Sequence, residues 1–177
     1  MSTMVDSGTT LTRERVLAAL DDVKDPEIPV VSVVELGIIQ AIAIDGCRVT
    51  VAITPTFSGC PALDLMRQEI RERVLALGAT QVDVPVVLDP PWSTDRVDPA
   101  AWRRMQAIGL APPPPPVARY RADESLSLQL AAPTLAVACP FCGSSDTVLE
   151  NAFGPTICRA LHYCNSCQQP FEEFKAL

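Results

Sequence analysis

The chain of 177 residues contains a single histidine, His162, and aromatic residues make up only 5% of it. One histidine argues against acid–base catalysis by histidine side chains. The sequence also lacks a serine nucleophile motif, a phosphate-binding glycine loop and a dinucleotide-binding fingerprint. We therefore expect a protein that is not an enzyme.

Positive charge is also scarce: 14 lysine and arginine residues stand against 21 aspartate and glutamate residues. Residues 1–110 hold 10 basic against 15 acidic residues, and residues 111–177 hold 4 against 6. Neither part is basic, which argues against binding to nucleic acid or to an anionic membrane surface. The longest apolar stretch, 28–44, is too short and too often interrupted for a transmembrane helix, and no signal peptide is evident. We expect a cytoplasmic protein.

The chain is, by contrast, rich in proline and cysteine, with 17 and 7 residues, and 48% of its residues are apolar. That apolar fraction is sufficient for a packed core. In a reducing compartment, cysteines serve as metal ligands, reactive thiols or core residues more often than as disulfides.

The first part of the chain combines helical and strand patterns. Apolar residues at helical spacing predict a helix over 13–23, and alternating residues on both sides of Asp45-Gly46 predict a β-hairpin. A second helix is predicted over 61–77, followed by a strand over 81–88 and a short helix that ends at Gly109. Helical spacing predicts that the second helix turns its apolar residues inward: Leu65, Met66, Ile70, Val74 and Leu77. These patterns predict an α/β (α+β) fold.

Five consecutive prolines, 112–116, follow this region. Such a run favours the polyproline II form and acts as a semi-rigid spacer, although it is also a typical ligand of recognition modules. The spacer interpretation divides the chain into a first domain, 1–110, a proline-rich linker, 111–135, and a second domain, 136–177.

Two Cys-x-x-Cys pairs mark the second domain: Cys139 with Cys142, and Cys164 with Cys167, separated by 21 residues. Four thiolates of this spacing form a closed tetrahedral site, and a unit of about 40 residues needs metal binding in order to fold. We expect a β zinc ribbon with one structural zinc per chain. Iron in the same sulfur cage, serving electron transfer, is the competing hypothesis.

Other residues of this domain bear on the ligand set. Gly143 can adopt the left-handed conformation after the first pair, whereas Gln168 occupies that position after the second, which predicts a less ideal turn. His162 is an alternative ligand, although a surface or supporting role is the commoner one for such a histidine. Cys158 is expected to be a small strand residue.

The first domain contains a thiol of interest. Cys60 precedes Pro61 at the start of a predicted helix, where backbone N–H groups favour a thiolate, although most cysteines so placed are inert. Asp25 and Glu27 flank Pro26 in a loop. They serve either turn formation or, together with Cys60, a mixed oxygen–sulfur site.

These motifs together resemble the SufT-like metal–sulfur cluster assembly family. The resemblance lies in Asp25-Pro26-Glu27-Ile28-Pro29, Val34-Glu35-Leu36-Gly37-Ile38, the hairpin, the loop from Thr54 through Cys60 to Pro61, and Pro90-Pro91-Trp92. It implies a small sheet backed by helices. It also implies that the functional motif consists of Asp25, Glu27, Thr54 and Cys60.

The addition of a four-cysteine ribbon resembles the branch of this family that belongs to phenylacetate degradation. That resemblance implies an accessory role for the multicomponent phenylacetyl-CoA epoxidase, which has a di-iron catalytic subunit and an iron–sulfur reductase subunit. The expected partners are those subunits, and the expected cargo is iron or an iron–sulfur cluster held transiently. A permanent non-catalytic subunit and an iron-loaded electron-transfer module are the alternatives.

Overall fold

The structure, a computed structural model, describes residues 10–113 and 137–175. The chain divides into two compact units, Met1–Ala101 and Trp102–Leu177. Most of the predicted spacer and linker, 111–135, lies outside the described residues. The assignment of 1–110 and 136–177 to separate domains therefore stays a prediction.

The first unit is a three-stranded sheet accompanied by helices, which confirms the α/β class. The elements are α1 (Arg13–Leu20), β1 (Ile39–Asp45), β2 (Arg48–Ile53), α2 (Leu63–Ala76), β3 (Gln81–Asp83) and α3 (Pro99–Ala107), which begins at the end of this unit. The sheet has the order β1-β2-β3, with β2 antiparallel to β1 and parallel to β3.

Local sequence explains where these elements begin and which side they bury. The Thr12 hydroxyl oxygen accepts a hydrogen bond from the backbone N–H of Arg15 and caps α1. The predicted hairpin is confirmed, with Gly46 at a φ of +56° in its turn. In α2 the residues Met66, Ile70 and Val74 are buried, as their helical spacing predicts.

Two predicted features of this unit differ from the structure. The strand predicted over 81–88 ends at Asp83, and beyond it only Val86 bridges to Ile53. Pro85 interrupts this segment, and proline cannot donate a ladder hydrogen bond. Leu65, expected to face inward, is 48% exposed.

The segment between α1 and β1 is fixed by a reciprocal hydrogen-bond pair. The Ser32 N–H donates to the Glu35 carboxylate (2.9 Å), and the Glu35 N–H donates to the Ser32 hydroxyl (3.0 Å). The Trp92 indole N–H donates to the Leu36 carbonyl (2.8 Å) from a buried position. These bonds hold the segment that contains Asp25.

Gly37 is the position in this segment where a side chain cannot be accommodated. Its φ is +66°, and a Cβ there would overlap the Arg96 backbone oxygen and lie 2.9 Å from the Arg96 carbonyl carbon. We expect Gly37→Ala to lower the midpoint of urea unfolding by much more than Gly46→Ala. The left-handed conformation alone costs alanine about 1–2 kcal/mol, and at Gly46, with a φ of +56°, nothing lies within 4 Å of the added atom. Equal midpoints for the two variants would show that the overlap with Arg96 is relieved without cost.

The second unit contains the predicted ribbon. Its strands are β4 (Leu110–Ala111), β5 (Thr147–Asn151), β6 (Arg159–Cys164) and β7 (Gln169–Phe174). They form a four-stranded sheet of order β4-β7-β6-β5, with β4 parallel to β7 and the other neighbours antiparallel. The Trp102 and Phe174 rings pack edge to face, 5.8 Å apart.

The helices within 10–113 and 137–175 are short and amphipathic. None of them has the length and apolar content needed to span a membrane.

Candidate metal centre and thiol motif

The structure brings the sulfur atoms of all four predicted cysteines together. The Sγ atoms of Cys139 and Cys167 are 3.6 Å apart, as are those of Cys142 and Cys164, and all four lie within 4.8 Å of one another. A tetrahedron with metal–sulfur bonds of about 2.3 Å has edges of about 3.8 Å. The four side chains therefore fit one tetrahedrally bound metal ion.

Two equivalent turns hold these sulfurs. The N–H of Gly143 donates to the Cys139 carbonyl (2.8 Å), and the N–H of Gln168 donates to the Cys164 carbonyl (2.9 Å). Gly143 has a φ of +75° and Gln168 has a φ of +58°, so both lie in the left-handed region. The missing glycine thus does not distort the second turn. The strain is borne by the Gln168 backbone instead.

Burial and hydrogen bonding affect the thiols differently. Cys139 and Cys164 are buried in a cluster with Ala111, Val137 and Phe171. The backbone N–H of Cys167 lowers the pKa of the Cys164 thiol to about 7, whereas burial raises the pKa of the Cys167 thiol to about 12. A metal ion binds thiolates, so we expect metal binding to release protons and to weaken as the pH falls.

The left-handed glutamine offers a test of the second turn. We expect Gln168→Gly to stabilise the metal-bound ribbon by about 1 kcal/mol, since glycine adopts this φ without strain. The matched control is Gln169→Gly, because Gln169 is the first residue of β7 and glycine weakens a strand. Thermal unfolding measures both variants. If the Gln168→Gly protein is less stable than the unmodified chain, the Gln168 backbone is not strained.

The two alternative ligands lie elsewhere in the ribbon. His162 is buried, its Nε2 is 2.8 Å from a Glu173 carboxylate oxygen, and its ring stacks on Phe171. Cys158 is buried, with its sulfur 3.1 Å from the Thr156 hydroxyl. Neither residue belongs to the group of four sulfurs.

In the first unit, Asp25 forms the turn that its sequence predicts. One carboxylate oxygen accepts hydrogen bonds from the backbone N–H groups of Glu27 (2.7 Å) and Ile28 (3.0 Å). Asp25 is buried, and Glu27 is half-buried. Asp25 also lines a groove together with Leu65 of α2. The turn therefore places the Asp25 loop beside α2.

Thr54 and Cys60 lie at the two ends of the loop that joins β2 to α2. The Thr54 N–H donates to the Ile38 carbonyl (2.8 Å), and its hydroxyl is buried with no hydrogen-bond partner among the residues described. Cys60 is half-buried, and its carbonyl accepts from the N–H of Leu63, the first residue of α2. The Ala62 cap provides no side-chain hydrogen bond to the helix. The common role predicted for Asp25, Glu27, Thr54 and Cys60 stays a prediction.

Two features of these sites were not predicted. The hydroxyls of Ser144 and Ser166 lie 2.7 Å apart and join the two metal-binding turns. Ser144 lies just beyond the first Cys-x-x-Cys pair and Ser166 lies within the second, and this nearness to the ligands is the signal that could have indicated the contact. The groove beside Asp25 has no comparable signal, because its residues come from distant parts of the sequence.

Two family models match the chain. The model described as "Iron-sulfur cluster assembly protein" matches residues 13–86, and the model described as "PaaD zinc beta ribbon domain" matches residues 123–175. The first match contains Asp25, Glu27, Thr54 and Cys60, and the second contains the four clustered cysteines. The resemblances inferred from the sequence are thus confirmed for both parts.

The chain is also similar to individual proteins, over most of its length or over about half of it. The chain is 38% identical over 160 residues to a protein of Escherichia coli (strain K12) that is named as one subunit of a "Putative 1,2-phenylacetyl-CoA epoxidase", covering 90% of each chain. It is 37% identical over 87 residues to an "Fe-S protein maturation auxiliary factor" of Porphyromonas gingivalis, covering 48% of this chain and 81% of that one. A solved conserved hypothetical protein from Thermotoga maritima has 32% identity and a TM-score of 0.48, covering 56% of this chain and 96% of that one.

Proposed function

The chain belongs to the PaaD family, and from that premise we propose that it is a non-catalytic accessory factor of the multicomponent phenylacetyl-CoA epoxidase. In this role it assists the assembly of iron or iron–sulfur centres in the epoxidase subunits or in their iron–sulfur reductase. The metal centre is cargo that it binds transiently, and its partners catalyse the ring epoxidation.

The observation that carries this proposal is the way in which the similarities divide along the chain. The relative named as an epoxidase subunit matches across 90% of the chain, whereas the two relatives named Fe-S protein maturation auxiliary factors match 87 residues each, or 48% of it. The family model for iron–sulfur cluster assembly matches residues 13–86, and the zinc-ribbon model matches residues 123–175. This division supports a first unit that handles iron and a ribbon that adapts it to one enzyme system.

In this proposal the ribbon binds one structural zinc ion per chain. Four sulfur ligands fill a tetrahedral site and leave no open position for substrate, which is typical of structural zinc. Iron fits the same four sulfurs, so geometry alone does not separate the two metals. Visible absorbance distinguishes zinc from iron, because a zinc–thiolate protein is colourless and an iron-loaded ribbon that transfers electrons is coloured.

In the same proposal the first unit works through Asp25, Glu27, Thr54 and Cys60. The half-exposed Cys60 thiolate contacts the iron cargo transiently, since sulfur is a preferred ligand of iron in clusters. The amino end of α2, which lacks a side-chain cap, stabilises that negative charge. The buried Thr54 hydroxyl has hydrogen-bonding capacity that no described residue uses.

A stable structural subunit is the second candidate, favoured by the name of the relative from Escherichia coli. The two candidates differ in what happens after assembly. We expect epoxidase that is produced together with this chain to remain active after size-exclusion chromatography has removed the chain. Loss of activity on removal, restored by adding the purified chain back at a fixed ratio, would establish the stable subunit instead.

A further inference from the structure

We propose that a groove between the Asp25 loop and α2 binds a segment of the epoxidase component that the chain serves. The segment carries an apolar side chain flanked by lysine or arginine. This inference rests on the proposed function, because the partner that it specifies binds to the unit that contains Cys60.

Part of the groove lining is apolar. The groove has a volume of about 530 Å³, and its apolar lining consists of Pro26 and Pro29 of the Asp25 loop and Leu65 of α2. Leu65 is 48% exposed, because the buried stripe of α2 consists of Met66 and Ile70 on a different side of the helix. An apolar side chain from a partner would bury Leu65 against the two prolines.

The lining of the groove is also acidic. The Glu69 carboxylate forms no hydrogen bond or ion pair that involves another residue in the described ranges, and Glu72 accepts a hydrogen bond from the Gln68 amide (2.9 Å). The buried carboxylate of Asp25, which accepts two backbone hydrogen bonds, adds a third negative charge to the lining. These groups favour a partner with positive charge.

The two cations that line the groove offset only part of its negative charge. Arg73 forms an ion pair with Asp22 (3.5 Å), and the Lys24 ammonium keeps its charge while it donates to the Asp21 carbonyl (2.9 Å). The lining holds four carboxylates, those of Asp22, Asp25, Glu69 and Glu72, against these two cations. The lining therefore presents excess negative charge, which distinguishes this groove from a purely apolar patch and determines the sign of its partner.

The groove also lies close to Cys60 along the chain. Leu65 follows Cys60 by five residues, and five residues span at most about 18 Å even when fully extended. The Cα atoms of Leu65 and Cys60 are therefore no farther apart than that, so a partner bound at Leu65 lies near the thiol. The groove is thus close enough to Cys60 to position the epoxidase component that receives the metal centre.

Binding to purified epoxidase components, each immobilised in turn, tests the groove. We expect Leu65→Asp and Glu69→Lys each to weaken binding of the full chain to one component by about tenfold or more. We also expect added salt to weaken binding of the unmodified chain. The matched controls are Leu75→Asp, since Leu75 is 41% exposed on the same helix, and Asp45→Lys at the exposed end of β1. Both controls should bind as the unmodified chain does.

The milder variants Leu65→Ala and Glu69→Gln cover the case in which a charged variant does not fold, and they should weaken binding in the same direction. A photocrosslinking residue at position 65 should capture a partner peptide that contains lysine or arginine. Unchanged binding by the groove variants, equal weakening by the controls, an acidic captured peptide, or no binding of the unmodified chain would each overturn the proposal.

These outcomes separate the groove from the proposed function. If the groove variants bind normally while iron loading of the epoxidase still depends on the chain, only the groove is wrong. If the groove variants lose binding while iron loading is independent of the chain, the groove stands and the assembly role falls.

Discussion

Replacing Cys164 by serine should remove the metal from the ribbon and unfold the sheet of the second unit. Its sulfur is fully buried and is one of only four ligand atoms in the cluster described. Structural zinc contributes about 10–16 kcal/mol to the folding of small zinc domains, more than a ribbon of this size gains from its apolar core. Metal content per chain and the rate of proteolysis of residues 137–175 measure the two effects.

The controls for this prediction are Cys158→Ser and His162→Ala, which change buried side chains of the ribbon outside the sulfur cluster. Both variants should retain about one metal ion per chain, although His162→Ala loses its pairing with Glu173 and some stability. Metal retained by Cys164→Ser, or lost from either control, would mean that the ligand set is wrong.

The second large effect is expected at Cys60. Cys60→Ser should fold, keep its ribbon metal and still bind its partner, yet lower the activity of epoxidase produced with it by about tenfold or more. Serine is nearly isosteric with cysteine, so packing changes little, but oxygen is a poor substitute for sulfur toward soft metal centres. Epoxidase activity per unit of purified enzyme is the measurement.

The matched control is Cys47→Ser, which changes an exposed cysteine of the same unit. It should leave the epoxidase fully active. Equal activity with Cys60→Ser would remove the thiol from the assembly mechanism and would favour the stable-subunit alternative.

Much of this fold is predictable because its elements have strong local signals. Three such signals are the Asp45-Gly46 dipeptide at the hairpin, the stripe of Met66, Ile70 and Val74, and the two Cys-x-x-Cys pairs. Each specifies local geometry through a few neighbouring residues. Metal-ligand spacing is especially informative, because four sulfurs that bind one metal ion allow few arrangements of the two turns.

The remaining features depend on tertiary contacts that local pattern does not encode. Leu65 has the spacing of a core residue, but its position on the helix leaves it beside the Asp25 loop. Gln168 adopts a left-handed φ because the metal-binding turn requires it, against its own preference. The boundary of the compact units, after Ala101, reflects the pairing of β4 with β7, two strands far apart in sequence.

The iron content of the epoxidase components is the most direct measure of the assembly role. The components should be produced with the unmodified chain, with Cys60→Ser and without the chain, and purified without air. We expect full iron occupancy with the unmodified chain and substantially lower occupancy in the other two preparations. Equal iron in all three would contradict an assembly role for this protein.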